Sequence, residues 1–593
     1  MHRGILLKYA DLVMTWLLEM GYTHCFFVAG GNSMHLLDGA RKTMKCTPFV
    51  HEGSAGIAAE YFNEISEDHR AFVLVTAGPG LTNLITSMAG AYLESRELLV
   101  LGGQVKSTDL ATNLLRQRGI QEVDGVEICK PVSKLAVRVA KPIDKATFIS
   151  HVNVGTTARK GPVFLEFCLD AQGAPVDPDK LNTDPVPPTS IIPSGKDALT
   201  RVIAMIETAE RPVLLLGGGI DRRVTTKSLA GLAKAGIPIM TTWNGADRIP
   251  ADHPLYFGRP NTWGQRSSNV LIQQSDLIVA LGTRLGLQQT GFNWQQFAPV
   301  GKIIQVEIDP DELSKGHPHI DLPLLADANA MLLGIIDHSW SVPVSWVEFC
   351  REVSDLLPLS EQKANSHEDE FVDTFDFVLE LSKRCRSDDI VIPCSSGGAL
   401  TTMMQAFKQK TGQFIVTDKG LASMGYGLAG AIGVAMAYPE RRVVLVEGDG
   451  GFSQNLQELA TVAVNNLNLK IFLFANEGYA SIRMTQRNYF DGQYLGCDTT
   501  TGLGFPNWEL LAQSYSIPFL KLNVDFDRSD NFANLFNHSG PAFIVVPVDP
   551  EQTYFPKISS RITKSGRMES SPLHLMDPAL PSSLSKKVIR YLP

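Results

Sequence analysis

Residues 447–482 read EGDGGFSQNLQELATVAVNNLNLKIFLFANEGYASI. The apolar, β-branched run 443–446 just before this stretch predicts a buried strand, and the run 470–474 predicts a second one. Between the two runs, apolar residues recur at helical spacing and predict a helix. The stretch therefore predicts a strand–helix–strand unit whose two strands run parallel in an α/β sheet.

Polar side chains follow both of these strands. Asp449 comes directly after the first strand, and Asn476 comes after the second. Because ligands bind at the carboxyl ends of the strands in an open α/β sheet, we expect Asp449, Asn476 and the loop carbonyl of Gly478 to form an oxygen site. Mg²⁺ suits such a site, since it usually binds few protein oxygens together with substrate phosphates. A GDG triplet alone also fits a simple tight turn between strand and helix.

Composition and charge disfavour several classes of protein. The chain has 593 residues, of which 44% are hydrophobic and 19% are charged, and this length predicts roughly three or four domains. The net charge of −9 and the pI of 5.8 disfavour nucleic acid and membranes as partners. Eight cysteines without a CxxC pair are typical of reduced thiols and favour a cytoplasmic protein. The N-terminus predicts an amphipathic helix rather than a signal peptide or membrane span.

Alternating helix and strand patterns predict an α/β fold of three domains, each with a doubly wound parallel sheet. The three domains cover residues 1–175, 194–340 and 370–556. Residues 176–193, which are rich in Pro and Asp, predict a linker, and the polar residues 341–369 predict a second one. The tail, 557–593, is rich in Ser and Pro, and we predict that it is irregular and covers the active site or wraps the surface.

Glu52 is the candidate catalytic residue of the first domain. We predict a strand at 48–50 before it and a helix of small residues at 54–62 after it. From its position alone, Glu52 is a carboxylate near a helix N-terminus, where the helix dipole favours negative charge.

Four segments together resemble the thiamine diphosphate (ThDP) enzymes, and in particular the acetolactate synthase group. They are HEGSAG at 51–56, GPGLTN at 78–83, MGYG at 424–427, and the stretch from GDG to Asn476. The likeness covers the chain to about residue 556. It implies that the first domain binds the pyrimidine ring of ThDP and the third domain binds its diphosphate and Mg²⁺. Ala475 departs from the family pattern, which often has Asn there, but the ligand in relatives is the second Asn, here Asn476.

The resemblance also implies roles for individual residues. Glu52 hydrogen-bonds the aminopyrimidine ring and starts the catalytic cycle. Met424 lies beneath the cofactor and bends it, although sequence alone favours an ordinary core methionine. Gln121 reaches into the site or is only a solvated loop amide. The implied ThDP contacts are Gly30, Gly31, Pro79, Ser396, Gly397, Gly398, Met424, Gly448, Asp449, Gly450, Gly451, Asn476, Gly478 and Tyr479.

The central domain resembles the FAD-binding domain of acetolactate synthases, in which FAD is largely structural. The GGG run at 217–219 is by itself a weak dinucleotide signal. The implied FAD contacts are Gly218, Thr242, Arg284, Glu307 and Asp327. Relatives carry Asp and Arg in the loop after the Gly-x-Arg segment, where this chain has Gly286, Gln288 and Gln289.

The resemblance implies that the enzyme decarboxylates a 2-oxo acid, such as pyruvate, and joins the acyl unit to a second carbonyl without turnover of FAD. One alternative is a ThDP decarboxylase or lyase that makes no new carbon–carbon bond. Another is a flavin or nicotinamide oxidoreductase built on the central domain. In the family ThDP lies between subunits, so we expect a homodimer or homotetramer.

We predict an acceptor other than 2-oxobutyrate or a second pyruvate alone. Relatives carry a Gln-Trp pair after the metal-binding Asn, and Met484 and Thr485 stand at the aligned positions. Loss of the indole opens space, and the Thr hydroxyl can bond a polar acceptor. The polar, aromatic run 487–506 suits a hydroxylated ligand such as a keto-sugar, or it serves only as an interface or lid.

Overall fold

The structure is a computed structural model that describes residues 7–112, 115–185, 196–361, 363–365, 367–562, 564, 566 and 568–592. Within these residues, no helix combines the length and the apolar character needed to cross a membrane. Residues 186–193 of the first predicted linker lie outside the described part of the chain.

The first domain contains a sheet of six parallel strands in the order β3-β2-β4-β5-β7-β6. A separate antiparallel pair, β1 with β8, joins the start of the domain's chain segment to its end. Its strands are β1 (Leu7–Lys8), β2 (Tyr22–Phe27), β3 (Lys45–Pro48), β4 (Arg70–Val75), β5 (Leu98–Gln104), β6 (Leu135–Val139), β7 (Pro162–Cys168) and β8 (Pro175–Val176). Its helices are α1 (Tyr9–Glu19), α2 (Met34–Ala40), α3 (Glu52–Ile65), α4 (Pro79–Thr82), α5 (Ile85–Glu94), α6 (Gly125–Cys129), α7 (Lys145–Asn153), α8 (Leu169–Gln172) and α9 (Pro178–Leu181).

The central domain has five parallel strands in the order β10-β9-β11-β12-β13. Its strands are β9 (Pro212–Leu216), β10 (Ile239–Thr241), β11 (Leu277–Leu281), β12 (Lys302–Glu307) and β13 (Leu322–Leu325). Its helices are α10 (Lys196–Thr208), α11 (Arg222–Ala235), α12 (Arg266–Gln274), α13 (Leu287–Thr290), α14 (Pro310–Ser314), α15 (Ala328–Ile336) and α16 (Val344–Leu356).

The third domain repeats the topology of the first, with six parallel strands in the order β15-β14-β16-β17-β19-β18. Its strands are β14 (Ile390–Ile392), β15 (Phe414–Ile415), β16 (Val443–Gly448), β17 (Leu469–Ala475), β18 (Phe519–Lys521) and β19 (Ala542–Pro547). Its helices are α17 (Thr374–Arg384), α18 (Gly397–Ala406), α19 (Tyr426–Ala437), α20 (Asp449–Phe452), α21 (Leu459–Val464), α22 (Ala480–Tyr489), α23 (Trp508–Ser514) and α24 (Asp530–Asn537).

The predicted α/β class with three parallel sheets is confirmed. In the first and third sheets the chain reverses its direction of winding beside the earliest strand of the sheet, between β2 and β4 and between β14 and β16. Such a switch point leaves a crevice at the carboxyl ends of the strands, where ligands bind. The loops that carry Glu52 and Asp449 lie at these ends.

Helices α3 and α19 pack closely and join the first domain to the third. A Cβ added at Gly433 would overlap the carbonyl of Ala58, so the close approach requires glycine. Beside the two helices, the buried Arg96 guanidinium donates to Glu60 Oε1 at 2.9 Å and to the carbonyl oxygen of Thr417 at 2.7 Å. The Glu60–Arg96 pair lies within the first domain and is costly to break because both charges are buried. The bond from Arg96 to the Thr417 carbonyl ties this pair to the third domain.

The tail packs against the central domain, and the prediction that it is irregular was wrong. It forms β20 (Ser560–Ile562), β21 (Met568–Ser570) and α25 (Ser582–Val588). Leu573, Met576 and Val588 are buried in a core that they share with the central domain. The fully buried Arg266 donates to the carbonyl oxygens of Met576 and Pro578. Apolar residues spaced through a polar tail therefore anchor it to the central domain.

Candidate active site

Asp449 begins α20 at the end of β16, and its carboxylate is 1% exposed. Its Oδ1 accepts a hydrogen bond from the backbone N–H of Gly450 at 2.7 Å, and its Oδ2 accepts one from the backbone N–H of Asn476 at 3.0 Å. Burial raises the pKa of the Asp449 carboxyl to about 7, although peptide N–H groups lower it in part. A cation beside the carboxylate would oppose the effect of burial and favour the charged form.

The side-chain amide of Asn476 lies next to this carboxylate. One end of the amide is 3.1 Å from Asp449 Oδ1 and 2.8 Å from the carbonyl oxygen of Gly478. If the amide nitrogen takes that place, it donates to both oxygens; if the amide oxygen takes it, three oxygens face one another. We call the Asp449 carboxylate, the Asn476 side-chain amide and the Gly478 carbonyl the oxygen cluster.

The oxygen cluster fits Mg²⁺ by donor type and by spacing. An octahedral cation with bonds of about 2.1 Å holds neighbouring ligand oxygens about 3.0 Å apart, close to the 2.8 and 3.1 Å seen here. The described residues contain no group of three His, Cys, Asp or Glu side chains placed to hold a metal. One carboxylate with neutral oxygens is instead the kind of site in which phosphate oxygens complete the shell.

Two helix N-termini and their glycines surround the oxygen cluster. Ser396 precedes Gly397 and Gly398, which open α18, and Gly450 and Gly451 lie in α20. Gly397 has φ +79°, and a Cβ added there or at Gly448 would meet open space. The ring of Tyr479 packs directly on Gly450, where a Cβ would overlap it. Exposed backbone at a helix N-terminus is suited to bind a diphosphate.

Met424 lies in the loop that leads into α19. Its side chain is 38% exposed, so it is not the core methionine that sequence alone allowed. Gly425, the next residue, has φ +82°, and its carbonyl accepts a hydrogen bond from Asn455. Asn455 thus bonds the backbone of this loop, while the apolar side chain of Met424 is exposed enough to contact a ligand.

Glu52 is the first residue of α3, and it is 9% exposed. Its Oε2 accepts a hydrogen bond from Asn83 Nδ2 at 2.9 Å. A Cβ added at Gly80 would lie 3.6 Å from Oε1, so the other carboxylate oxygen lies beside α4, which begins at Pro79. The structure thus places Glu52 beside the GPGLTN segment, to which Pro79 belongs.

The other predicted residues of the first domain lie around the same edge. Gly30 packs on Thr76, and the amide of Asn32, next to Gly31, donates to the Thr76 hydroxyl. Gln121 has φ +60°, and its carbonyl lies under Gly78. The side chain of Gln121 is exposed. Among the described residues, no hydrogen bond or ion pair joins Glu52 to Asp449, Asn476 or Met424.

The central domain borders a cavity of 1130 Å³. All five predicted FAD contacts line it: Gly218, Thr242, Arg284, Glu307 and Asp327. Burial raises the pKa of the Glu307 carboxyl. The same cavity is lined by the residues that depart from the family pattern, Gly286, Gln288 and Gln289. The GGG run has a structural role as well, because a Cβ at Gly217 would overlap the backbone of Gly282.

Three family models match the chain in order. They are described as the thiamine pyrophosphate enzyme N-terminal TPP binding domain, at residues 7–128, the central domain, at 199–335, and the C-terminal TPP binding domain, at 396–546. The chain belongs to the thiamine pyrophosphate enzymes.

Curated relatives of this thiamine pyrophosphate enzyme match it nearly end to end. It is 28% identical to the acetolactate synthase isozyme 1 large subunit of Escherichia coli K12, over 93% of this chain and 95% of the relative. It is 29% identical to a probable acetolactate synthase large subunit of Methanocaldococcus jannaschii, over 85% of each chain. The E. coli isozyme 2 large subunit is 27% identical over 94% of this chain.

Sequence reasoning missed two buried side chains beside the oxygen cluster of this enzyme. Arg483 Nη2 donates to the carbonyl oxygen of Asn476 at 2.8 Å, and its guanidinium lies 3.7 Å from Asp498. Tyr554 is 4% exposed, and its ring and hydroxyl pack on Gly398 at the start of α18. Arg483 could have been suspected as the only cation in the stretch 477–486, whereas Tyr554 follows the last strand of the sheet and nothing nearby in sequence indicates its place.

Replacing Asp449 with Ala should abolish Mg²⁺-dependent ThDP binding, because the single carboxylate of the oxygen cluster is lost. We expect the dissociation constant for ThDP at fixed Mg²⁺ to rise at least tenfold, which is about 1.4 kcal/mol. Quenching of intrinsic fluorescence during ThDP titration measures it. Asp525→Ala, at an exposed acid of the same domain, is the control. Unchanged affinity in Asp449→Ala would place the cation elsewhere.

Proposed function

We propose that the chain is a carboligase of the acetolactate synthase type, which decarboxylates pyruvate on ThDP and joins the two-carbon unit to a second carbonyl. The observation that carries the proposal is the pairing of a buried carboxyl, Glu52, on one sheet edge with an oxygen cluster suited to Mg²⁺ on another. The relatives named acetolactate synthase support the reaction type. When bound, ThDP supplies the electron-accepting thiazolium ring that makes loss of CO₂ feasible.

In this proposal the third domain binds the diphosphate end of ThDP. Asp449, Asn476 and Gly478 hold Mg²⁺, and the backbone at Ser396–Gly398 and Gly448–Gly451 faces the phosphates, with Tyr479 packed alongside. The support is the spacing of the oxygens and the open space beside Gly397 and Gly448. Met424 contacts and bends the cofactor, for which its partly exposed apolar side chain is available.

Glu52 holds the proton at the aminopyrimidine ring in this proposal. A carboxyl can exchange a proton with a ring nitrogen efficiently when water is excluded and the carboxyl is held in place. Glu52 is nearly buried, and Asn83 occupies one of its oxygens while the other stays available beside Gly80. Gln121 borders the same edge and would contact the substrate rather than ThDP.

We further propose that two copies of the chain complete each site. Glu52 makes no bond to the oxygen cluster within the described residues of one chain, and exposed apolar side chains lie near it. Val50 is 53% exposed and Ile120 is 84% exposed. A second copy would cover them and bring its own oxygen cluster to Glu52, giving a homodimer or a tetramer of two such dimers.

The cavity of the central domain is proposed to bind FAD. Its volume and its mixed lining of glycine backbone, Arg284 and two carboxylates, Glu307 and Asp327, suit a dinucleotide. Decarboxylation followed by carboligation transfers no electrons overall, so the flavin has no redox task in the reaction. A flavin or nicotinamide oxidoreductase would leave Glu52 and the oxygen cluster without a role.

For the acceptor, a keto-sugar remains our second candidate beside pyruvate. Thr485 is exposed on α22, where relatives have an aromatic wall, and its hydroxyl donates to the Ser481 carbonyl at 2.9 Å. The surface of α22 at Thr485 is therefore open to a polar ligand. Lys557 Nζ lies 3.0 Å from the sulfur of the neighbouring Met484, so the start of the tail borders the same region.

Labelled pyruvate should give a new carbon–carbon bond that requires ThDP and Mg²⁺. Initial rates are compared by NMR for pyruvate alone, pyruvate with 2-oxobutyrate, and pyruvate with a nucleotide-linked 4-keto-sugar. Acetaldehyde as the sole product would favour the lyase. Acetolactate formed as fast as any other product would remove the keto-sugar candidate.

Replacing Glu52 with Gln should stop activation of ThDP while leaving its binding intact. The amide can still accept from Asn83, so the fold is kept, but it cannot exchange a proton with the ring. We expect hydrogen–deuterium exchange at C2 of bound ThDP to slow at least a hundredfold, within the range of a lost general acid–base group. Glu127→Gln, at an exposed acid of the same domain, serves as the control. Exchange at the wild-type rate in Glu52→Gln would refute this role.

Bound FAD should be needed for folding or affinity and not for electron transfer. The purified protein should be yellow, and Arg284→Met should release flavin while the ThDP dissociation constant changes by less than about threefold. Absorbance of the flavin during turnover should stay constant. A colourless enzyme that is fully active and gains nothing from added FAD would contradict the proposal.

A further inference from the structure

We propose that Lys419, whose ammonium lies on the ring of Trp243, binds the pyrimidine edge of the flavin ring in the cavity of the central domain. Its charge would then lie beside the part of the flavin that becomes negative on reduction. This inference rests on the proposed FAD site. Neither Lys419 nor Trp243 is among the five FAD contacts that the resemblance implies.

The first support is the position of the Lys419 ammonium. Lys419 belongs to the loop of the third domain that leads to Met424, and it lines the 1130 Å³ cavity together with Trp243. Its Nζ lies 5.0 Å from the centre of the Trp243 ring. Within the part of the chain that the structure describes, this ammonium makes no hydrogen bond or ion pair. The indole face attracts the cation, and the N–H groups of the ammonium remain available to a ligand in the cavity.

The second support is that the neighbouring acids bond other groups. Glu94 Oε1 accepts from the backbone N–H of Lys419 at 2.6 Å, and Glu94 Oε2 accepts from Asn244 Nδ2. Asp418 Oδ1 accepts from the backbone N–H of Ala422 at 2.9 Å. Burial lowers the pKa of the Lys419 ammonium to about 8, so the protein alone does not fully compensate this charge. A negative or electron-rich group of a ligand would favour the charged form.

The third support is that two more polar groups in this corner of the cavity lack partners. The Trp243 indole nitrogen and the Asn244 side-chain oxygen are buried, and neither has a hydrogen-bond partner among the described residues. Both residues line the cavity. Native proteins rarely leave buried polar groups unpaired, so the corner is typical of a site that a ligand completes. Two donors, on Lys419 and Trp243, and one acceptor, on Asn244, complement by type the two carbonyls and the N3–H of a flavin.

The strand order of the central sheet indicates which end of FAD meets Lys419. In the order β10-β9-β11-β12-β13, Glu307 ends β12 and Asp327 follows β13, at one side of the sheet. Acids at such strand ends bind ribose hydroxyls. Trp243 follows β10, at the opposite side. A dinucleotide with its adenosine at the two acids therefore has its diphosphate at the glycines after β9 and β11, and its flavin beside Trp243 and Lys419.

Lys419→Met tests the inference, because it keeps an unbranched side chain on the Trp243 ring and removes the charge. FAD and ADP are titrated separately into the flavin-free, full-length protein, and calorimetry measures both dissociation constants. We expect the dissociation constant for FAD to rise about tenfold, while that for ADP, which has the adenosine and phosphates but no flavin, changes less than about twofold. Lys521→Met, at an exposed lysine of the same domain, should bind both ligands as the wild type does.

The outcomes separate this inference from the proposed FAD site. Equal losses of FAD and ADP affinity in Lys419→Met would place the ammonium at the phosphates and overturn the inference. Wild-type binding of FAD with equally tight binding by Lys419→Met overturns the inference and leaves the proposed FAD site standing. Failure of the wild type to bind FAD overturns both.

Two further readouts distinguish a flavin contact from a structural lysine. Without flavin, Lys419→Met should unfold at the same temperature as the wild type or higher, because a buried charge without a partner costs stability. Reduced flavin carries negative charge at N1 and the C2 carbonyl, and nearby protein charge tunes this part of the ring. We expect Lys419→Met to weaken reduced FAD about tenfold more than oxidised FAD, which lowers the two-electron midpoint potential by about 30 mV. Lys419→Arg should keep most of the wild-type potential. A lower unfolding temperature with an unchanged potential in Lys419→Met would overturn the inference.

Discussion

The site depends on the cost of burying the Asp449 carboxylate. The peptide N–H groups of Gly450 and Asn476 bond it but do not offset its desolvation, and its pKa stays near 7. The proposed Mg²⁺ would supply what these dipoles lack, since bound cations are often the largest local charges in a site. In our proposal the surroundings serve this need: the Asn476 amide can turn its oxygen inward, Gly478 offers its carbonyl, and the glycine backbone leaves room where phosphates would complete the shell. The Arg483 guanidinium donates to the Asn476 carbonyl oxygen and so holds the backbone of Asn476 in place.

Topology brings these groups to one edge. The first and third sheets share one strand order, and their switch points lie between β2 and β4 and between β14 and β16. Loops from neighbouring strands therefore meet at that point in both, with Glu52 and the GPG turn in one and Gly397, Asp449 and Asn476 in the other. The packing of α3 on α19 holds the two edges in a fixed relation within the chain. Among the described residues of one chain no hydrogen bond or ion pair joins Glu52 to the oxygen cluster, and in our proposal the cluster of a second copy completes the site.

Much of the fold could be predicted because the strands are short apolar runs between glycine turns. The predicted strands at 443–446 and 470–474 lie within β16 (Val443–Gly448) and β17 (Leu469–Ala475). The strand before Glu52 was predicted at 48–50 but ends at Pro48, and α3 begins at Glu52, before the predicted 54, because the His51 side chain accepts from the Gly53 amide and starts the helix early. The tail was misjudged because its apolar residues find partners only in the central domain. The place of Tyr554 could not be predicted, since it packs on Gly398 from a segment far along the chain and no local spacing reveals a contact of that range.

The most direct measurement is anomalous diffraction from crystals grown with Mn²⁺ in place of Mg²⁺ and with ThDP. Mn²⁺ prefers the same oxygen ligands and scatters anomalously, so its position does not depend on interpreting weak density. A single strong peak within bonding distance of Asp449, Asn476 and the Gly478 carbonyl, with ThDP phosphate density beside it and Glu52 of a second copy at the pyrimidine ring, is the expected result. A peak away from these three residues, or ThDP bound with no metal at Asp449, would contradict the role assigned to the oxygen cluster.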